Sequence, residues 1–329
     1  MLSASRALQE MTATMRRAIT IFLLLCASAH CVLSIFFVNV SYLKLSDYAA
    51  GVGPLPFQRR LLMIPFVRWA QSSALLGHAA ARYTRFLIQY EPLTSAKLGC
   101  MILGILVVVA LGLFSLRYPR KLGLRYDWLL WALLLVILYA SYGARFEQVV
   151  WYPYDLPHMA LFGAATLCLL ADEPWLFLAF MAVDVFARET SIFLLAVAFI
   201  TRFNNTRWRV ASLLGTFLWG FSRLLAKHLY PNNPTMLNGI PWYHMAAPWH
   251  WPQLFSIVGF LWIPVVLARR YLSQQQRLTL AVASLCMVVT FFFATWNETR
   301  VWLEWSTLFA ALAAIEFQSA LLSSEPSAS

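Results

Sequence analysis

The residues of this sequence able to do chemistry are ionisable groups lodged in or beside strongly apolar stretches: Asp47, Arg59, Arg60, Glu147, Asp155, His158, Arg188, Glu189, His244, His250, Glu298 and Arg300. A charged group at membrane depth costs at least about 2.5–3.5 kcal/mol on insertion scales, so it is a functional-site candidate by default. Acids beside arginines point to anionic substrates. The guanidinium fork matches the oxygens of a phosphate, and a carboxylate nearby can take up a proton.

Three short stretches concentrate these groups. The first runs from Trp151 to His158, where Asp155 and His158 are spaced to share a face of one helical turn. It reads either as a helix start, with Asp155 as cap, Pro157 in the first turn and an aromatic belt, or as a substrate-facing edge. The second holds Asp184, Arg188 and Glu189 in a segment otherwise built of Phe, Leu, Met, Val and Ala. Asp184 and Arg188 form an i,i+4 pair able to neutralise each other, which leaves Glu189 over; alternatively Arg188 clamps a phosphate. The third, 296–300, contains Glu298 and Arg300, with Glu304 one helical turn beyond Arg300. An Arg300–Glu304 pair and a substrate-binding role are both open there. Arg59 and Arg60 read as an interfacial anchor or as ligands of a lipid pyrophosphate. Asp47 is an ordinary loop residue unless the first loop is catalytic.

The elements that position these groups follow from composition. Hydrophobic residues make up 61% of the 329 and charged ones 12%, about half the charged share of a soluble domain. Apolar stretches recur at 18–37, 96–116, 128–143, 159–171, 175–187, 191–201, 208–225, 254–268, 278–296 and 301–321, about ten in all for spans of roughly 20 residues. This predicts an all-α integral membrane protein with about 9–10 transmembrane segments. Residues 1–321 form a single polytopic membrane domain and 322–329 a disordered polar tail. The first stretch is read as a retained span, since no small-residue cleavage site follows it.

Charge sets the topology. The net charge of +11 gathers in short connections, which argues for membrane orientation and against nucleic acid. The strongest clusters are Arg6/Arg16/Arg17, Arg117/Arg120/Lys121/Arg125, Arg202/Arg207/Arg209 and Arg269/Arg270/Arg277. All fall on one side of the membrane only if the chain turns back at 188–190 instead of passing through as one helix. Both termini are then cytoplasmic, in what reads as a bacterial inner membrane, and the candidate groups share the outer face. The long first outer loop, 39–97, contains an amphipathic middle at 59–83, which suits one or two interfacial helices. Five cysteines without CxxC or Cys/His spacing predict neither disulfides nor zinc. His244 and His250, six apart, lack a third ligand, so no metal is expected. No cofactor is specified.

The combination of Arg59-Arg60-Leu61-Leu62, Tyr-Asp-Leu-Pro-His at 154–158, Ala-Arg-Glu-Thr-Ser at 187–191 and Asn-Glu-Thr-Arg at 297–300 resembles bacterial polytopic membrane proteins grouped with the C-type, lipid-dependent glycosyltransferases. That resemblance implies a helical fold with an outer-face site that takes a sugar from a polyprenyl-phosphate donor. It also implies an acidic base in the first outer loop, often one of a carboxylate pair. Only Asp47 stands in that region, without an acidic neighbour. The expected roles are therefore Asp47 or Asp155 as catalytic carboxylate, with Arg59, Arg60, His158, Arg188, Glu189, Glu298 and Arg300 binding substrate. The competing expectations are a transporter or flippase for a lipid-linked or anionic solute, and a non-catalytic subunit of an envelope-polymer assembly.

Overall fold

The structure, a computed structural model, describes residues 2–85, 92–143, 149–235, 255–267, 269–293 and 299–324. These are all-helical, with two isolated bridges, Val40–Val150 and Leu55–Thr235, and no sheet among them. The helices are α1 (Leu2–Val38), α2 (Leu45–Ala50), α3 (Ile64–Ser72), α4 (Ala74–Thr84), α5 (Ser95–Ser115), α6 (Leu129–Tyr142), α7 (Asp155–Leu170), α8 (Pro174–Asp184), α9 (Ser191–Thr201) and α10 (Thr206–Leu229). After these come α11 (Trp262–Leu267), α12 (Gln274–Phe293) and α13 (Ser306–Ser324), the last entered through a 3₁₀ segment, Thr299–Trp305.

Two helices are long and apolar enough to cross a membrane: the Thr14–Val38 part of α1, and α5. The other expected spans take different forms. Helices α6 to α9 are apolar but shorter. The stretch 254–268 resolves into a 3₁₀ turn, Ile257–Phe260, with Val258 and Gly259 in the left-handed region, followed by the six-residue α11. The amphipathic part of the first loop forms α3 and α4, which lie on α5 with Ile64, Val67, Ala70, Leu76 and Ala80 buried. One face of each helix thus packs against the bundle, while Trp69, Leu75 and Tyr83 stay exposed on the other side. The reason they pack is the small face of α5: a Cβ at Gly99 would sit 2.8 Å from Ala70 Cβ.

The chain does reverse at 185–190. Helix α7 ends in a Schellman turn, in which Asp172 adopts φ 62° and Glu173 N–H reaches back to Cys168 O at 2.8 Å. Pro174 then starts α8 at a position where no intrahelical N–H is needed. At the far end of α9, Arg202 donates to Leu169 O at 3.0 Å and Trp208 Nε1 donates to Asp172 Oδ1 at 2.6 Å. The end of α9 therefore lies beside the start of α8, and the two helices run out and back. Each has 11 residues, about 16 Å.

This reversal gathers the basic connections at one end of the bundle. There Arg17 pairs with Asp127, Lys121 and Arg117 with Glu173, Gln318 with Gly123 O, and Gln275 with Thr201 O. The opposite end holds the first loop, the 149–154 segment, the 185–190 turn and residues 230–235. These are joined by Trp151 N to Val40 O, Leu62 N to Phe186 O and Leu55 N to Pro234 O. Small residues permit the close approaches. A Cβ on Gly163 of α7 would lie 2.3 Å from Thr307 Oγ1, so glycine is what lets the first turn of α13 press against the middle of α7.

Candidate functional site

Two polar clusters stand side by side at the end that holds the 185–190 turn. The inner one is centred on His158, on the first turn of α7 and 1% exposed. Its Nδ1 lies 2.7 Å from Asp184 Oδ1 and its Nε2 3.0 Å from Glu304 Oε2. Ser191 Oγ donates to Asp184 Oδ2 at 2.7 Å, and Thr190 Oγ1 donates to Glu304 Oε2. One imidazole thereby ties together α7, both sides of the 185–190 turn and the approach to α13. Ionised carboxylates only accept, so with both acids ionised both ring nitrogens must donate and the ring is a cation. The two acids lie on opposite sides of the ring and cannot converge on one ion. Among the described residues no group of three or more His, Cys, Asp or Glu is arranged to hold a metal.

The outer cluster is centred on Glu189. Arg60 Nε meets its Oε2 at 3.2 Å and Arg223 its Oε1 at 3.5 Å, and Arg188 adds a third positive charge close by. Arg59 stands near enough to Arg223 to repel it. Arg60 is 7% exposed, and its guanidinium lies 4.6 Å from the centroid of Tyr154 and 5.5 Å from that of Phe57, a cation–π sandwich that offsets part of its desolvation. Tyr152 stacks on Phe57 at 4.7 Å and on Tyr154 at 5.5 Å. The turn is held by Trp219 Nε1 donating to Glu189 O at 2.9 Å and Ser222 Oγ donating to Val185 O at 3.0 Å.

Three arginines thus surround Glu189, with Arg59 beside Arg223 and Asp155 as a second acid near Arg60. Arg59 Nε, Arg60 Nη1 and Arg188 Nε are buried donors with no acceptor among the described residues. Buried polar groups are ordinarily satisfied. Positive charge in excess, with buried N–H groups unpaired among the described residues, gives this cluster the charge sign and donor type that favour anions.

One pairing expected from sequence is replaced, and one expected cap is not formed. Asp184 does not neutralise Arg188: α8 ends at Asp184, so the two share no continuous helix, and Asp184 is claimed by His158 and Ser191. Glu304 bonds His158 and Thr190, and the Arg300 side chain lies outside the described residues. Asp155 is not the cap of α7 but its first residue. Its carboxylate accepts from Tyr152 N–H at 3.0 Å and from Tyr142 Oη at 3.3 Å, which pins the incoming segment.

Of the sequence candidates, Arg59, Arg60, Asp155, Arg188 and Glu189 come together, with His158 in the adjoining cluster. Asp47 does not join them; it sits on α2, half-buried, its carboxylate accepting from Ser46 Oγ at 3.2 Å. Glu147, His244, His250 and Glu298 lie outside the described residues. Arg223 is not among the sequence candidates, although a cation inside the apolar run of α10 carries the same signal as Arg188. Comparisons of the chain with protein-family models, curated proteins and solved structures return no match.

Proposed function

We propose that the protein is an integral membrane transferase of the C-type glycosyltransferase kind, acting at the outer face of a bacterial inner membrane with both termini cytoplasmic. Its donor is a sugar on a polyprenyl phosphate. The observation that carries this reading is the group of buried arginine N–H donors without acceptors around Glu189. Insertion in lipid is supported by α10, which turns Leu213, Phe217, Phe221 and Leu224 outward and keeps Ser212, Gly215, Ser222 and Ala226 inside. A helix in water would do the reverse. Orientation is supported by the gathering of the basic connections at one end.

In this reading Arg188, Arg59 and Arg60 grip the lipid phosphate as it departs, adding stabilisation where negative charge develops. A carboxylate takes the proton of the acceptor hydroxyl, a step worth about 10²–10⁴ in rate. Asp155, beside Arg60, is better placed for that role than Asp47. The test is transfer of radiolabelled sugar from a synthetic polyprenyl-phosphate donor by protein in nanodiscs. Arg188→Gln is expected to lower the rate at least about 100-fold, the usual effect of removing one preorganised charge-stabilising donor. Turnover that is unchanged in both Arg188→Gln and Asp155→Asn overturns the assignment.

A second reading, translocation of a lipid-linked anion, is favoured by the paired half-helices α8 and α9, because broken helices line substrate paths in transporters. Movement of a fluorescent lipid pyrophosphate across vesicle membranes without covalent change would select it.

A further inference from the structure

At the basic end of the bundle three of the four cationic connections carry their own acid: Arg17 pairs with Asp127, Lys121 and Arg117 with Glu173, and Arg202 with Asp172. The fourth does not. Among the described residues Arg269 and Arg277 form no ion pair. Arg270 instead lies over the Tyr271 ring at 4.9 Å and donates to its Oη at 3.0 Å. Glu316 of α13, the helix packed against this turn, is 1% exposed and pairs with none of them.

A groove of about 440 Å³ opens beside the two unpaired arginines, with α11 and the short 3₁₀ turn Arg269–Tyr271 on one wall and α12 on the other. On α12 the lining residues Arg277, Leu280, Ala281 and Ser284 are spaced i, i+3, i+4 and i+7 and so share one face. On the facing wall Val266 precedes Arg269 by three residues. Both walls therefore place a cation at the end where Gln275 bonds Thr201 O, and apolar surface beyond it, with Ser284 about 10 Å farther along. None of the described lining residues is acidic. The flanks are apolar and face outward, Leu267 at 78% and Leu285 at 62% exposure, which opens the groove to lipid rather than to water. Basic pockets between helices at a membrane surface take the headgroups of anionic lipids. A soluble anion would meet the arginines but leave the apolar walls uncovered, and a zwitterionic lipid would cover the walls without net attraction. We propose that this groove docks one anionic phospholipid, its phosphate between Arg269 and Arg277 and the upper part of an acyl chain along Val266, Leu280 and Ala281. The inference rests on insertion in lipid, as the transferase reading does, but on no step of the transfer.

The test is native mass spectrometry of the full chain in a neutral detergent, titrated with phosphatidylglycerol and, separately, with phosphatidylcholine. One phosphatidylglycerol should bind at least about tenfold more tightly than phosphatidylcholine. Arg269→Gln and Arg277→Gln should each weaken it about fivefold, the worth of one cation close to an anionic lipid. Ala281→Trp, at an exposed position, fills the groove without touching its charge and should abolish binding. Arg120→Gln removes an exposed charge from another connection at the same end and should leave binding unchanged. The inference is overturned if phosphatidylglycerol shows no preference over phosphatidylcholine, if Arg120→Gln weakens binding as much as Arg269→Gln, or if Ala281→Trp binds like the parent. Displacement of the lipid by an equal concentration of soluble hexaglutamate would make the occupant an acidic protein segment. A lipid-free dimer that dissociates in Ala281→Trp would make it a second copy, and either result overturns the inference too. Uptake of neither phospholipid overturns it together with insertion, whereas absent sugar transfer with phosphatidylglycerol still bound counts against the transferase reading alone.

Discussion

Replacing Asp184 by asparagine keeps the volume of the side chain and removes one charge from the His158 cluster. Asp184 accepts from His158 Nδ1 at 2.7 Å and from Ser191 Oγ at 2.7 Å, one bond to each oxygen, with both side chains of the ion pair at most 1% exposed. An amide accepts on one side only, so its NH₂ must face one of these donors. Removing one partner of a buried pair costs about 3–5 kcal/mol, a large part of the 5–15 kcal/mol that holds a typical protein folded. At about 2 °C per kcal/mol for a chain of this size, the midpoint should fall by about 6–10 °C. Thermal unfolding in nanodiscs followed by tryptophan fluorescence reads this directly. Because Asp184 and Glu304 share one ring, Asp184→Asn and Glu304→Gln should also be non-additive by about 0.5–3 kcal/mol. A midpoint that stays where it was in Asp184→Asn, or strict additivity in the double variant, would refute the shared imidazole as the link between the two acids.

The remaining predictions concern other parts of the molecule. Gly163→Val should destabilise the fold or displace the first turn of α13, since a Cβ there meets Thr307 Oγ1 at 2.3 Å; lowered expression with recovery in Gly163→Val/Thr307→Ala checks it. Partial burial raises the Glu173 carboxyl, but the hydrogen bonds from Lys121 and Tyr118 and the charge of Arg117 outweigh it and hold the group below its ordinary value of 4.5. Its contribution is therefore present above pH 4.5 and lost as the pH falls through the depressed value; a melting profile of Glu173→Gln should be flatter there than that of the parent. Single cysteines at Lys44 and Asn204 in a cysteine-free background should label from outside the cell at 44 and remain protected at 204. Labelling of both would place the two ends of the bundle on the same side of the membrane and undo the proposed orientation.

Composition alone determined that the chain is helical and that its charged residues are exceptional. Apolar stretches with few charges leave the backbone only helices in which to satisfy itself without water, and among the described residues helices are the only extended regular structure. The turn at 188–190 was also legible, because cations in short connections prefer one side and only a reversal puts them there. Partnership was not legible. Spacing suggested that Asp184 meets Arg188, because i,i+4 neighbours face each other on an unbroken helix. The structure ends α8 at Asp184 and carries Glu304 across to His158, over 146 residues of sequence. Arg60, the Arg188-Glu189 pair and Arg223 likewise come from three separate places along the chain. Pattern rules see a helix and its neighbours within a turn; which buried acid answers which buried base is decided by helix packing, which depends on where small residues such as Gly163 let two helices approach.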